Sequence, residues 1–266
     1  MKKLLLPVLL STLSFSAMAQ TSDVDDAMPE DGPPRWGLGI AAMIKNSPYA
    51  GEGTQVRPIP LITFQGERFY FRGLTAGWQL IGGESFELSA IAKFRPDGFD
   101  VDDLGRRELA ANGLDYRLLE DRDDGLDLGL VAKWSGAAGE IEAEILADAI
   151  DASGGQEVSL DYGYPFDVGK GRLTPNVGVT WLSKDMANYY YGTLDEEVAR
   201  GVVDYKPGSV TIPHVGVSYF RPIGENWSVI GFVKYSVLPD EISDSPFIEP
   251  DTDGAASVFI GFSRGF

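Results

Sequence analysis

The sequence predicts an all-β fold: a transmembrane antiparallel up-and-down β-barrel of about 12 strands. Three observations predict it. The chain starts with an export signal, it repeats segments in which apolar and polar side chains alternate, and its short turns alternate with long loops. A tilted strand that crosses a membrane needs about 9–11 residues with this period of two. No run of 18 apolar residues follows the signal, so a closed barrel is the remaining spanning structure.

The first 34 residues are predicted to lie outside the barrel. Lys2 and Lys3 precede an apolar run, and Ala17-Met18-Ala19 is the small-x-small pattern of a cleavage site, so residues 1–19 form a cleaved signal peptide. Residues 20–34 contain five acids, three prolines and no base. Such a composition predicts a disordered, acidic periplasmic leader. The barrel itself is predicted to occupy residues 35–266.

Alternation starts at Trp36 and recurs along the chain. Segments 36–45, 86–95, 126–134, 140–149, 157–166 and 172–181 each place apolar side chains on one face and polar or small ones on the other. If residues 67–81 formed one strand, the count would be 11. Splitting them at Arg72-Gly73 gives 12 strands and puts every long loop on one side. Ten strands is the alternative count.

The connections predict how the barrel is oriented. Tight turns are predicted near 66, 82–83, 136–139, 167–171 and 223–226, whereas 46–55, 96–125, 183–208 and 238–254 are long, polar and acidic. Short turns at one end and long loops at the other are typical of barrels in the outer membrane of Gram-negative cells. Trp36, Trp134 and Trp227 fall near short-turn ends and Trp181 near a long-loop end, as an interfacial aromatic girdle requires.

The last strand carries a predicted signal for the barrel-assembly machinery. Outer-membrane barrels commonly end on an aromatic residue, and the apolar face of this strand is formed by Val258, Ile260, Phe262 and the terminal Phe266. Arg264 departs from that pattern, because an apolar residue or tyrosine is usual there.

Composition excludes several classes of function. The chain has 40 acidic and 22 basic residues, a net charge of −18, one histidine and no cysteine. This charge repels a phosphate backbone, so no nucleic-acid partner is expected. Without cysteine there is no thiol nucleophile or zinc-thiolate site. No motif marks a nucleophile beside His214, so the sequence predicts neither an enzyme nor a cofactor.

Strand alternation predicts which charged side chains face the lumen. Such a lining either forms a narrow, cation-leaning channel or pairs into salt bridges that close a small barrel, and a 12-strand barrel allows both. The residues predicted to line the lumen are Glu87, Lys93, Arg95, Asp127, Lys133, Glu140, Glu142, Glu144, Asp161, Arg172, His214 and Lys234, together with Asp148 and Glu157.

Acidic clusters in the long loops have two interpretations. Aspartates at 100, 102 and 103, at 121, 123 and 124, and at 251 and 253 are oxygen-rich groups of the kind that attract calcium, although none has EF-hand spacing. Alternatively they form a solvated surface that meets lipopolysaccharide through diffuse divalent ions. Tyr189-Tyr190-Tyr191 serve either recognition or packing on the barrel rim.

Several segments resemble the MltA-interacting protein family, also called the MipA/OmpV family. They are GERFYFRGLTAGWQL (66–80), LEDRDDGLDLGL (119–130), SGGQEVSLDYGYPF (153–166), LTPNVGVTWLSKDMANYYYG (173–192) and ENWSVIGFVKYSVLPDEISDSPF (225–247). The resemblance implies an outer-membrane barrel. For the best-known members it implies a scaffold that links a lytic transglycosylase to a peptidoglycan synthase. Other members are described as adhesion or porin-like proteins.

The function we expect from the sequence is therefore a non-catalytic scaffold for peptidoglycan enzymes, which would contact them through its short turns and acidic leader. Two alternatives remain. One is a narrow porin-like channel for small cationic or zwitterionic solutes, and the other is an adhesin that uses loops 96–125 and 183–208.

Overall fold

The structure is a computed structural model and describes residues 35–266. The predicted signal peptide and acidic leader, residues 1–34, lie outside the described residues. Within residues 35–266 no helix is long and apolar enough to cross a membrane.

The described residues form one closed antiparallel sheet. β1 pairs with β13 and β10 pairs with β11, so no strand is left at an end of the sheet order. β8 and β9 both pair with β10 and are two parts of one barrel strand, interrupted at Tyr164 and Pro165. The barrel therefore has the twelve strands predicted. The bounds are β1 Trp36–Asn46, β2 Thr54–Gln65, β3 Phe69–Arg72, β4 Thr75–Gly82, β5 Phe86–Arg95, β6 Gly125–Gly136, β7 Gly139–Asp148, β8 Gln156–Gly163, β9 Phe166–Val168, β10 Gly171–Leu182, β11 Val210–Ile223, β12 Trp227–Val237 and β13 Gly254–Gly265.

The predicted split at Arg72-Gly73 is confirmed. β3 and β4 form a hairpin around Gly73 and Leu74, and Gly73 adopts a φ of 61°, a left-handed conformation that glycine accepts without steric cost. The hairpin is short, because β3 has only four residues. The barrel wall next to β2 is therefore shorter along the strand direction here than beside the other strands.

The period of two is visible in the exposure of the strands. Outward apolar side chains are exposed, up to 75% for Ile40, as expected for a surface that faces lipid. Trp36, Trp134 and Trp227 lie at short-turn ends of their strands and Trp181 at the long-loop end of β10. The four residues of the predicted assembly signal are exposed: Val258, Ile260 and Phe262 lie on the outward face of β13, and Phe266 directly follows that strand.

The inner face of the barrel is divided into two parts. On β1, β2, β12 and β13 an apolar cluster forms from Ala41, Met43, Ile59, Leu61, Phe232 and Phe259. Most inward charges instead lie on β5 to β8, β10 and β11, where a cavity remains. One side of the lumen is therefore apolar and the other charged.

The long loops fold into a structure that we call the outer cap, formed by residues 47–53, 96–124, 183–209 and 238–253. It contains helices α1 Arg106–Ala111, α2 Lys184–Tyr191, α3 Asp195–Ala199 and α4 Asp240–Ser243, and 3₁₀ turns at Val101–Asp103 and Tyr116–Leu118. The loops are acidic at the surface, but they share an apolar core in which Leu109, Met186, Ile242 and Phe247 are fully buried. Burying these side chains stabilises the loops as one packed layer over the barrel mouth.

Candidate functional site

A cavity of about 300 Å³ lies in the charged part of the lumen, under the outer cap. Its size is at the lower end of the range for small-molecule sites. Eleven of the fourteen side chains that we predicted to line the lumen border it, and Glu87, Asp127 and Asp148 do not. The eleven are Lys93, Arg95, Lys133, Glu140, Glu142, Glu144, Glu157, Asp161, Arg172, His214 and Lys234.

Arg95 is the centre of the largest charged group in the lumen. Its Nε donates to Asp127 Oδ2 at 2.8 Å, and its Nη1 lies 2.7 Å from Glu157 Oε2 and 3.2 Å from Asp97 Oδ2. The β5–β6 register, which pairs Lys93 with Asp127, places these groups side by side at the outer end of the barrel. Three carboxylates thus surround one guanidinium, which satisfies a charge that would otherwise be costly to bury.

Two lysines, on β5 and β6, pair with glutamates of β7. Lys93 Nζ donates to Glu144 Oε1 at 2.7 Å, and both side chains are almost fully buried. Lys133 Nζ lies 3.0 Å from Glu142 Oε2. These pairs join β5, β6 and β7 on the lumen side, so this part of the wall is held by side chains as well as by its backbone ladder.

His214 and Asp161 meet across a glycine. Gly178 on β10 pairs with Asp161 on one side and His214 on the other, and His214 Nε2 lies 2.6 Å from Asp161 Oδ1. A Cβ on Gly178 would lie 2.5 Å from Asp161 Oδ1 and 2.6 Å from His214 Nε2. Only glycine therefore leaves room for this contact. His214 is 4% exposed, and its Nδ1 has no hydrogen-bond partner within residues 35–266.

The remaining inward charges are placed differently. Glu87 accepts a hydrogen bond from Ser89 Oγ at 3.0 Å, and Arg172 lies 3.7 Å from Asp167 near a short turn. Asp148 caps the loop after β7, where its carboxylate accepts hydrogen bonds from Ile150, Ser153 and Gly154. Lys234 borders the cavity and forms no ion pair within the described residues.

The outer cap supplies the roof of the cavity. Tyr190, on α2, is 3% exposed, and its hydroxyl has no hydrogen-bond partner in the described part of the chain. Tyr49 Oη donates to the Tyr190 carbonyl at 3.1 Å. Burial raises the pKa of both phenols, so they are neutral hydrogen-bonding groups. Tyr189 to Tyr191 therefore pack in the cap and on the rim.

Arg122 organises the cap, and sequence reasoning missed it. Its guanidinium pairs with Glu197, at 2.9 and 3.0 Å, and donates to the carbonyls of Tyr189, Glu120 and Gly192. Both charged side chains are 0% exposed. Glu197 also accepts from the backbone N–H groups of Glu120 and Leu194. The one feature of the sequence that could have pointed to Arg122 is its position as a single base among acids in EDRDD (120–124).

The acidic loop clusters bind their own backbone. Asp121 accepts from the Val101 N–H at 2.7 Å and Asp124 from the Gly98 N–H at 3.1 Å. Across residues 35–266, no three His, Asp or Glu side chains are grouped as metal ligands. Burial, and then the neighbouring Asp121, raises the pKa of Asp100. The hydrogen bonds to loop backbone therefore account for the positions of the Asp121 and Asp124 carboxylates.

Comparisons with known proteins agree with this architecture. The family model described as MltA-interacting protein MipA matches residues 38–266. The chain is 31% identical over 245 residues to the putative outer membrane protein YiaT of Escherichia coli O157:H7, covering 91% of each chain. It is 30% identical over 229 residues to the MltA-interacting protein of E. coli strain K12, covering 86% of this chain and 90% of the relative.

Among solved structures, the NanC porin is similar over 86% of this chain and 100% of its own, with a TM-score of 0.45 and 8% identity. The family match extends over nearly the whole described barrel, and relatives carry the name of outer membrane proteins. The chain therefore belongs to the MltA-interacting protein MipA family and is a twelve-stranded barrel of the outer membrane.

Proposed function

We propose that this protein is a non-catalytic outer-membrane scaffold for enzymes that remodel and synthesise peptidoglycan. The observation that carries the proposal is the outer cap, whose apolar core and buried Arg122–Glu197 pair lie over the mouth of the barrel. A covered mouth suits a protein that holds partners better than one that conducts solutes. The name of the E. coli relative, MltA-interacting protein, supports a lytic transglycosylase as one partner.

We expect the surface that contacts the peptidoglycan enzymes on the short-turn side, because the short turns and the acidic leader are predicted to face the periplasm. Five turns, 66–68, 83–85, 137–138, 169–170 and 224–226, and the two ends of the barrel chain face that side. A standard interface covers about 800 Å² per partner, which is more than such short turns provide. The acidic leader, residues 20–34, is therefore expected to supply much of the contact.

The test is retention of a purified lytic transglycosylase on the immobilised barrel. One variant replaces residues 24–33 with an uncharged Gly-Ser linker of equal length, and a matched variant replaces only the acids there with Asn or Gln. We expect retention to fall by about tenfold or more in the linker variant, as expected when a main contact is lost. Unchanged retention would exclude the leader, and no retention by the unaltered protein would exclude the scaffold.

A channel for small cationic or zwitterionic solutes is the second candidate. The cavity favours it, because Tyr190, His214 and Lys234 border it, and neither Tyr190 Oη nor His214 Nδ1 has a hydrogen-bond partner in the described residues. Planar-bilayer conductance separates the two functions. A scaffold is electrically silent, whereas stepwise, cation-selective currents would establish the channel. Adhesion through the long loops stays a prediction, and loop deletion would test it.

A further inference from the structure

The lipid-facing surface of the described barrel carries two charged side chains, and both are bases. Along β1 to β13 the outward positions hold apolar, small or uncharged polar residues, except at Arg221 on β11 and Arg264 on β13. Both arginine side chains are exposed. The chain as a whole has 40 acids and 22 bases, so its lipid-facing strands in residues 35–266 depart from its overall charge.

Both arginines lie within the apolar band of the barrel and not beyond its edge. On each strand, an apolar or aromatic outward residue lies on either side of the arginine. These flanking residues are Tyr219 and Ile223 on β11, Phe262 on β13, and Phe266 directly after β13. A charge on the lipid-facing side of a barrel costs free energy, least near the interface. A long arginine side chain lowers that cost by placing its guanidinium at the level of the lipid headgroups.

Aromatic rings hold Arg264 at the short-turn end of the barrel. Its guanidinium carbon lies 5.7 Å from the centre of the Trp227 ring and 5.0 Å from the centre of the Phe266 ring. Trp227 also stacks on Phe262, with ring centres 4.6 Å apart. Cation–π contacts attract the guanidinium, but they leave its N–H donors without acceptors. The rings therefore fix a cation that can still bind an anion.

The two arginines lie on either side of β12. Arg221 is opposite Val229, which is two residues after Trp227 on β12. Arg264 is opposite Trp227. Two strand spacings and two residues of rise place the arginine Cα atoms about 12 Å apart, a distance that two long side chains can bridge around one headgroup. Neither arginine forms an ion pair within residues 35–266, and this includes Glu225 and the C-terminal carboxylate, the anions nearest along the chain.

We propose that Arg221 and Arg264 bind the phosphate of an anionic phospholipid, such as phosphatidylglycerol, in the periplasmic leaflet of the outer membrane. The short turns of such barrels face the periplasm, so this leaflet meets the two arginines. Guanidinium groups bind phosphate through charged hydrogen bonds, which are the strong class. The acyl chains lie against the outward side chains of the same three strands, among them Val217, Val233 and Ile260.

Labelled cysteines test the site, because the chain contains no cysteine. Val229→Cys lies between the two arginines and is the third residue of β12. Ile141→Cys is the matched control, since Ile141 is the third residue of β7 and its outward neighbours, Trp134 and Tyr162, are uncharged. Each cysteine carries a fluorophore, and each barrel is refolded in phosphatidylcholine vesicles. The vesicles contain equal fractions of phosphatidylglycerol or phosphatidylethanolamine with a nitroxide on the acyl chain, which quenches the fluorophore on contact.

Quenching at Val229→Cys should show at least about a fivefold preference for phosphatidylglycerol at about 0.1 M salt, because each arginine near a membrane surface attracts an anionic lipid. The preference should fall in about 1 M salt, which screens exposed charges. At Ile141→Cys phosphatidylglycerol should quench no more than phosphatidylethanolamine, because the net charge of the chain disfavours anionic lipid. Equal quenching by both lipids at Val229→Cys would overturn the site, and so would the same preference at both positions.

Charge substitutions identify the arginines. Arg221→Gln and Arg264→Gln together should lower the preference at Val229→Cys to that at Ile141→Cys, whereas Arg107→Gln, exposed in the outer cap, should preserve it. Because Arg264 lies beside the predicted assembly signal, Arg221→Gln alone is the second variant and should lower the preference by about twofold. A preference that survives these substitutions would overturn the assignment. Inorganic phosphate should leave the preference unchanged, and its loss would show a site for free phosphate instead of lipid.

Discussion

The lumen and the outer cap both bury ion pairs, but in different surroundings. In the cap, the carboxylate of Glu197 and the guanidinium of Arg122 are fully buried and also bind backbone groups on neighbouring loops. In the lumen, Lys93–Glu144 and the group around Arg95 border a cavity and link β5 to β6, β7 and β8. The cap pair joins separate loops, whereas the lumen pairs add to a backbone ladder that already exists.

This difference indicates what each set of charges is for. Arg122 donates to one carbonyl in its own loop, that of Glu120, and to two in loop 183–209, those of Tyr189 and Gly192. No strand ladder joins these two loops. The arrangement of the cap therefore depends on this buried pair as well as on its apolar core. The lumen pairs can exchange partners with water or solute, because a cavity lies beside them. Removing a charge should consequently have a large effect in the cap and a moderate one in the lumen.

The largest effect is expected from Glu197→Gln. The substitution leaves Arg122 buried without a counter-charge, and breaking a buried pair in this way costs about 3–5 kcal/mol. Hydrogen exchange in nanodiscs should show loss of protection in residues 183–209 and 96–124, with unchanged exchange in β6 and β13. A bilayer recording should show more frequent open events if the cap closes the mouth.

Asp102→Asn is the matched control for that substitution. Asp102 pairs with Arg106 at 3.0 Å on the surface of the cap, where both side chains are more than half exposed. Exposed pairs contribute about 0–1 kcal/mol, so cap protection should change little. If Glu197→Gln and Asp102→Asn have the same small effect, the buried pair does not hold the cap.

A moderate effect is expected from Glu144→Gln in the lumen. Lys93 loses its charged acceptor, and leaving a buried donor poorly satisfied costs about 1–3 kcal/mol. Water in the adjacent cavity should keep the loss below that of Glu197→Gln. Urea midpoints of the barrel refolded in lipid vesicles measure it, with Glu142→Gln as the control because Glu142 is more exposed. A loss as large as that in the cap would mean that the two regions do not differ.

The barrel could be predicted from the sequence because the pattern that specifies each strand lies within that strand's own residues. Alternation locates each strand, and the Arg72-Gly73 turn was found because strand parity required it and a left-handed glycine permits it. The inward positions of Lys93 and His214 follow from the same period. Lipid on one face and a polar lumen on the other impose that period on every strand.

The outer cap could not be predicted from local pattern. Leu109, Leu114 and Phe247 lie in short helices and turns, so their spacing has no period that marks a shared core. Arg122 and Glu197 are 75 positions apart, and one pair cannot be selected among 40 acids without the fold. The unpaired edge of β2 likewise depends on how far β3 extends, which only the register shows.

The smallest effect is expected from Asp100→Asn, which changes how the cap responds to pH. Burial, followed by repulsion from Asp121, raises the pKa of Asp100, so the folded cap binds a proton there more readily than the unfolded loop does. A raised carboxyl pKa favours the fold most at low pH, and this contribution is lost as pH rises from the ordinary aspartate value through the raised one.

Hydrogen exchange of residues 96–124 at several pH values between about 4 and 7, corrected for intrinsic exchange rates, should show protection falling as pH rises. Asp100→Asn should flatten that dependence, whereas Asp204→Asn, on an exposed stretch of another cap loop, should leave it unchanged. Equal slopes in the unaltered chain and Asp100→Asn would show that protonation of Asp100 does not contribute to the pH dependence of the cap.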